Sequence, residues 1–113
     1  MQIKQLTKDY AVMGQLEPGQ VQEVAAIGFR SLICNRPDGE VAGQPRYEEV
    51  AAVARALGLE FRFIPIVHGQ SGMPDVEQTA EAIRDMPAPI LAYCRSGARS
   101  ETVHNAALTL INA

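Results

Sequence analysis

The stretch that decides the fold is residues 90–100, which read ILAYCRSGARS. Residues 90–93 are apolar and predict a buried strand, and the residues from Ser100 onward have the apolar spacing of a helix. A cysteine between the two lies near the positive end of the helix and near Arg99, and both influences lower the pKa of a thiol. We therefore expect Cys94 to be a nucleophile in a loop that binds a tetrahedral oxyanion through Arg99 and backbone N–H groups.

The other loop residues have more modest expected roles. Ser100 is the expected N-cap of the helix and also a hydrogen-bond partner of the thiolate. Arg95 either points to solvent or shapes substrate preference. A cysteine that follows an apolar strand is often a buried core residue, but the polar and basic residues after this one favour a site. Around the cysteine and the arginine, the predicted anion-binding loop consists of Arg95, Ser96, Gly97, Ala98 and Ser100.

Composition places the chain among ordinary globular proteins. Its 113 residues suffice for one domain, residues 1–113, with a single core. The net charge of −3, without a basic run, argues against a nucleic-acid partner. No apolar run approaches the roughly 20 residues of a membrane span, and two cysteines do not resemble a secreted disulfide framework. We therefore expect a cytoplasmic protein without membrane contact, metal or cofactor.

Strands and helices alternate along the chain. Strands are predicted at 3–6, 10–13, 29–34, 61–67 and 90–93, and helices at 18–27, 45–57, 74–86 and 100–111. The first two strands form a hairpin, and an amphipathic helix separates each later strand from the one before it. This order predicts an α/β three-layer sandwich, in which a mostly parallel five-stranded sheet has helices on both faces.

Ligands of such sheets bind beyond the carboxyl ends of the strands, where three loops should meet. One loop contains Arg36, Asp38 and Glu40, which either form a turn with local ion pairs or contact the substrate and orient Arg99. Another contains His68, which is either an exposed imidazole or a proton donor, because histidine titrates near neutral pH. The third loop is the one that follows the last strand.

Two further residues have competing interpretations. Cys34 is a small apolar residue of a buried strand, or else it forms a protective or resolving disulfide with Cys94. His104 lies on the last helix, where it is expected at the surface or in packing. Of these two residues, only Cys34 would take part in the chemistry of the loop, and only through the disulfide.

The chain resembles the DUF442 family of beta-lactamase-hydrolase-like, phosphatase-like domains, some of which are described as sulfur transferases. The resemblance extends over nearly the whole chain. It implies a cysteine-phosphatase-like fold, similar to that of dual-specificity protein phosphatases. Some family members are fused to a metallo-β-lactamase-type persulfide dioxygenase, which implies sulfur metabolism and makes such an enzyme a candidate partner. The residues that carry the resemblance are Gly14-Gln15, Gly28-Phe29, 35–40, Gly58-Leu59 with Ile64-Pro65, and 93–100.

The sequence departs from cysteine-dependent phosphatases at two points. Such phosphatases have five residues between the cysteine and the arginine of the loop, whereas four lie between Cys94 and Arg99, a length similar to that of rhodanese loops. They also carry a general-acid aspartate after the strand that 61–67 would match, and His68 stands there instead. The nearest downstream acid, Asp75, is expected at a helix start.

These departures favour sulfur transfer, because sulfite leaves thiosulfate with little acid assistance whereas an alkoxide leaving group needs a proton donor. The first prediction is a rhodanese-type sulfurtransferase that moves sulfane sulfur from thiosulfate or a persulfide, through a Cys94 persulfide, to a thiol or cyanide. The alternative is a hydrolase of the protein-tyrosine or dual-specificity phosphatase type, which acts on phosphate esters through a Cys94 phosphocysteine. The third option is an anion-binding domain without turnover. Cys94, Arg99 and His68 are the predicted catalytic residues.

Overall fold

A five-stranded sheet forms the centre of the computed structural model, which describes residues 1–113. Its strands are β1 (Lys4–Thr7), β2 (Tyr10–Met13), β3 (Ser31–Cys34), β4 (Glu60–Phe63) and β5 (Ile90–Tyr93), in the spatial order β1-β2-β5-β3-β4. β1 is antiparallel to β2, and the other three neighbouring pairs are parallel. The prediction of a mostly parallel sheet is confirmed, and the strand that leads to the cysteine loop is the central one.

Four helices cover the two faces of this sheet: α1 (Val21–Ile27), α2 (Tyr47–Ala56), α3 (Met73–Asp85) and α4 (Ala98–Ile111). Apolar residues of α1 and α2 share one buried cluster with Leu91 and Tyr93 of β5. Ile90 and Ala92 point to the opposite face and share a second cluster with Ala82 of α3. Both faces of β5 are therefore buried under helices, which explains its uninterrupted apolar run and confirms the three-layer sandwich.

Helix α4 packs beside α3 and buries His104. The ring of His104 stacks on Tyr10 of β2, with 4.2 Å between the ring centroids. Burial lowers the pKa of His104, which favours the neutral ring. Neither α4 nor any other helix is long and apolar enough to cross a membrane.

The strand predicted at 61–67 is shorter than expected and ends at Phe63. Pro65 has no N–H group to donate to a strand ladder, so regular pairing stops before it. The chain nevertheless stays beside β3, because the Ile66 N–H donates to the Asn35 carbonyl at 2.9 Å. The loop after β4 is thus still held next to the loop after β3.

The last helix begins at Ala98 and not at the predicted Ser100. Gly97 is its N-cap, with a φ of +96° in the left-handed region that glycine adopts without steric cost. The prediction that Ser100 caps the helix is therefore wrong. Ser100 lies instead in the first turn, where backbone N–H groups have no intrahelical partner and are free to bind another acceptor.

Candidate active site

The loop after β5 folds tightly around the sulfur of Cys94. The Gly97 N–H donates to Cys94 Sγ at 3.0 Å, and the Cys94 N–H donates to the Met13 carbonyl of β2 at 3.3 Å. A Cβ on Gly97 would lie 3.4 Å from the carbonyl carbon and oxygen of Met13. Both the backbone conformation and the close approach of β2 therefore favour glycine at this position.

The surroundings of the Cys94 thiol favour the thiolate. Burial raises the pKa of this thiol, but hydrogen bonds from the backbone N–H groups of Ser100, Ser96 and Gly97 more than offset it, so the pKa lies below its ordinary value. The hydroxyl of Ser100 also lowers the pKa. Its oxygen is buried and has no partner at ordinary hydrogen-bond geometry, so it is available to a reacting group.

Arg99 is fixed beside the loop by three hydrogen bonds. Nη1 donates to Glu40 Oε2 at 2.7 Å and to the Ile66 carbonyl at 2.9 Å, and Nη2 donates to Glu40 Oε1 at 2.9 Å. A guanidinium has five N–H donors, so one on Nε and one on Nη2 remain. These two lie on the same edge of the planar group and form a fork that fits two oxygens of one oxyanion.

Glu40 is the centre of a network that connects three loops. Its Oε1 lies 2.9 Å from Arg36 Nε, and Arg36 Nη1 donates to Gln15 Oε1 at 2.9 Å. The side chains of Arg36, Arg99 and Glu40 are 4%, 13% and 22% exposed. Hydrogen bonds from Arg99 and then Arg36 outweigh partial burial and lower the pKa of Glu40 to about 2. The geometry therefore matches the interpretation in which Glu40 orients Arg99.

The two aspartates near the site each accept a backbone hydrogen bond at the start of a helix. Asp38 Oδ1 accepts a hydrogen bond from the Tyr47 N–H at 2.8 Å, at the first residue of α2. Asp75 Oδ2 accepts one from the Gly72 N–H at 3.1 Å, just before α3. Carboxylates are stabilising at such N-termini. The structure thus gives Asp38 a contact with α2 and not with Arg99, and places Asp75 at a helix start as expected.

An open cleft of about 420 Å³ lies over the loop. His68 and Arg95 are both exposed there, and none of the four ion pairs of the chain involves either of them. Cys94 is completely buried beneath the loop and does not line the cleft. The structure therefore brings together the three predicted loops, with the sulfur below them. The lining residues are Glu40, His68, Arg95, Ser96, Ala98 and Arg99.

Cys34 lies in the core on β3, next to Tyr93 of β5. Its Sγ donates to the Arg36 carbonyl at 3.3 Å. Burial raises the pKa of this thiol to about 11, so it is protonated at neutral pH. Both cysteines are free. These observations agree with a core residue, and a disulfide between Cys34 and Cys94 stays a prediction.

Gly14 and Gln15 support the loop from behind, a role that the sequence did not assign to them. A Cβ on Gly14 would lie 3.0 Å from the Arg95 carbonyl oxygen, and the Gln15 N–H donates to the same oxygen at 3.4 Å. These residues follow β2, which is far from β5 in the chain but pairs with it in the sheet. The only signal for them was the family resemblance, since no local pattern shows which strands are neighbours.

Comparison with known families gives a match over residues 2–110 to the phosphatase-like domain of beta-lactamase hydrolase-like protein. The beta-lactamase hydrolase-like protein of Xylella fastidiosa strain 9a5c is 32% identical over 100 residues, which are 88% of this chain and 23% of that protein. Its counterpart in Agrobacterium fabrum is 28% identical over 104 residues, 92% of this chain and 24% of that protein. The chain thus spans about a quarter of the length of these relatives.

Solved structures with the same fold are described as phosphatases. A proposed phosphatase from Neisseria meningitidis Z2491 superposes with a TM-score of 0.83 at 29% identity, covering 89% of this chain and 72% of that one. The core catalytic domain of a PP-IP phosphatase from S. cerevisiae gives 0.74 at 11% identity, covering 98% and 67%. At 11% identity, the similarity to the yeast protein shows a shared fold and nothing more. The predicted cysteine-phosphatase-like fold is confirmed.

Gly14→Ala is expected to destabilise the protein by about 1–3 kcal/mol, because the new Cβ would crowd the Arg95 carbonyl and push the loop out of place. The displacement should also raise the pKa of the Cys94 thiol, since the loop N–H groups would move away from the sulfur. Urea unfolding measures the first effect, and thiolate absorbance during a pH titration measures the second.

Gly19→Ala is the matched control, because nothing lies within 4 Å of a Cβ at that position. Its free energy of unfolding should change by less than about 1 kcal/mol. Equal stabilities and equal thiol pKa values in the two variants would contradict the account of Gly14 as the support of the loop.

Proposed function

This chain belongs to the family of phosphatase-like domains of beta-lactamase hydrolase-like proteins, and we propose that it hydrolyses phosphate monoesters through a Cys94 phosphocysteine. The observation that supports this most is the pairing of a thiol of lowered pKa with an arginine that keeps a two-donor fork free. The family and the phosphatase neighbours favour this reaction over sulfur transfer. The order of the two predicted reactions is therefore reversed.

The reaction has two displacement steps at phosphorus. Cys94 Sγ attacks the phosphorus, a sulfur–phosphorus bond forms, and the bond to the leaving oxygen breaks. Water then attacks the phosphocysteine, releasing orthophosphate and restoring the thiolate. In both steps the Arg99 fork and the loop N–H groups stabilise the charge on the nonbridging oxygens.

Substrate access requires a rearrangement of the loop. Cys94 has no exposed surface, and the Gly97 N–H is bound to its sulfur. A phosphoryl group therefore reaches the sulfur only when the residues above it move. The N–H groups that stabilise the thiolate then become available to the phosphoryl oxygens, so the same donors serve the free enzyme and the intermediate.

His68 is the group that we assign to protonating the leaving oxygen. It lines the cleft with Arg99 and makes no ion pair. Glu40, the other candidate in the cleft, cannot act as an acid because its pKa of about 2 keeps it ionised. Asp38 and Asp75 are hydrogen-bonded at helix starts. A histidine in the loop after β4 thus replaces the aspartate expected of a phosphatase.

Sulfur transfer remains the second candidate because of one observation, the four residues between Cys94 and Arg99. A short loop brings its N–H groups onto the sulfur itself, which suits a persulfide as well as a thiolate. In this reaction the Cys94 thiolate would take the outer sulfur of thiosulfate or of a persulfide, with sulfite or a thiolate as the leaving group, and a thiol or cyanide would then accept that sulfur from the Cys94 persulfide. A persulfide dioxygenase would then be a natural partner.

We assign the proposed reaction to one domain, residues 1–113, in the cytoplasm. A reduced cysteine is required for either chemistry, and both cysteines are free in this fold. The cytoplasm keeps thiols reduced, whereas secreted compartments oxidise them.

A paired assay tests the choice between the reactions. Purified protein should release phosphate from para-nitrophenyl phosphate, and Cys94→Ser should abolish the release, because a serine hydroxyl is not ionised at neutral pH. Thiosulfate with cyanide is supplied in parallel, and thiocyanate is measured. Thiocyanate without phosphate release would overturn the proposal in favour of the sulfurtransferase. Inactivity in both assays would favour the anion-binding domain.

Glu40→Gln tests the positioning of Arg99. It is expected to lower kcat about 10–100-fold with a smaller effect on KM, because Arg99 would lose the carboxylate that aims it at the transition state. In a variant that already carries Arg99→Ala, the same change should cost little more, since the two residues act as one unit. Steady-state kinetics of the single and double variants measure both effects.

The control is Glu48→Gln, an exposed carboxylate of α2 without an ion pair. This variant should retain the kinetics of the unsubstituted chain. If the double variant instead lost kcat by the product of the two single-variant factors, Glu40 would not act through Arg99.

A further inference from the structure

We propose that Arg95 binds a second anionic group of the substrate, so that the site selects compact molecules with two phosphate groups over aryl or peptide monoesters. This inference rests on the proposed function, because it assumes that the first phosphate occupies the loop above Cys94. It adds a substrate class and a specificity-determining residue to that function.

The position of Arg95 gives the first argument. It follows Cys94 directly, its side chain is exposed, and it lines the same cleft as Arg99. The other two arginines of the site already have partners within the protein. Arg99 donates two hydrogen bonds to Glu40, and Arg36 is buried between Glu40 and Gln15. Arg95 makes no ion pair and keeps its whole set of donors for a ligand.

The charge balance gives the second argument. The site holds three guanidinium groups, those of Arg36, Arg95 and Arg99, and one carboxylate, that of Glu40, so its arginines outnumber its carboxylates. The chain as a whole has a net charge of −3, so this excess is a local feature. Arg36 and Arg99 share the carboxylate of Glu40, whereas Arg95 makes no ion pair. No carboxylate of the cleft therefore balances the charge of Arg95, and an anionic group of a ligand can do so.

The walls of the cleft give the third argument. Binding of an aryl phosphate or a phosphotyrosine side chain calls for apolar or aromatic walls around the ring. The only apolar residue of this cleft is Ala98. All six aromatic residues are engaged elsewhere: Phe29 and Tyr93 in the core, Tyr10 against His104, and Tyr47, Phe61 and Phe63 in one stack. The cleft thus offers charged and hydrogen-bonding groups, and no Phe or Tyr side chain lines it.

Calorimetric binding of inorganic anions to Cys94→Ser tests the proposal without turnover. Pyrophosphate should bind at least about tenfold more tightly than orthophosphate, as expected for one added charge-assisted hydrogen-bonding group. Adding Arg95→Gln should reduce this ratio to about threefold or less. Adding Arg84→Gln instead, which removes an exposed arginine of α3 without an ion pair, should leave the ratio unchanged.

A ratio that survives Arg95→Gln, or pyrophosphate binding no tighter than orthophosphate, would overturn the inference. Inhibition of para-nitrophenyl phosphate hydrolysis by the two anions repeats the measurement in chains that retain Cys94. If the chain does not hydrolyse this ester but the binding ratio depends on Arg95, the proposed function fails and the second anion site stands. If the chain hydrolyses the ester and the ratio does not depend on Arg95, the proposed function stands and the second anion site fails.

Discussion

The ion pair between Glu40 and Arg99 is the interaction on which the rest of the site depends. Glu40 belongs to the loop after β3, and it binds the guanidinium of α4 through two hydrogen bonds of 2.7 and 2.9 Å. The same guanidinium donates to the Ile66 carbonyl after β4. One side chain therefore joins the ends of three strands, and the anion-binding edge of the sheet is held together through it. Two of its donors are left over to face the reacting group.

The same network leaves positive charge unbalanced. A buried or half-buried charge is costly unless it is paired, and here two guanidinium groups share one carboxylate. The free enzyme compensates in part through Cys94, because the N–H groups of the loop lower the pKa of its thiol and so favour the negatively charged form. An incoming phosphate would complete the pairing. Glu40 fixes the Arg99 guanidinium before the substrate arrives, and such preorganised charge is a large electrostatic contribution to catalysis, whereas the loop N–H groups must first leave the sulfur.

The sheet and the cysteine loop were predictable because their signals are local. Four apolar residues followed at once by a cysteine, a glycine and an arginine define β5 and its turn, and alternating strands and helices define a parallel sheet. The start of α4 was misplaced because Gly97 caps the helix through its backbone conformation, whereas the prediction looked for a side-chain cap at Ser100. The contact between β2 and the loop involves Gly14, and strand order is not encoded in any local pattern.

The roles of Asp38 and Glu40 show the same limit. Both acids follow β3 within one turn-rich segment, and composition does not tell them apart. In the folded chain Asp38 binds the Tyr47 N–H of α2, and Glu40 alone binds Arg99. The count of four residues between Cys94 and Arg99, which favoured sulfur transfer, is correct, but it describes only one of the loops that form the site. The family and the structural neighbours concern the whole fold, and they favour phosphate chemistry.

The identity of the covalent intermediate on Cys94 is the most direct test of this account. The protein would be mixed with a phosphate monoester, quenched rapidly, and its Cys94 peptide analysed by mass spectrometry, with a thiosulfate-treated sample alongside. The account predicts a phosphoryl group on Cys94 that forms and decays with turnover. A Cys94 that gains a sulfur atom from thiosulfate, and never a phosphoryl group from the ester, would contradict it.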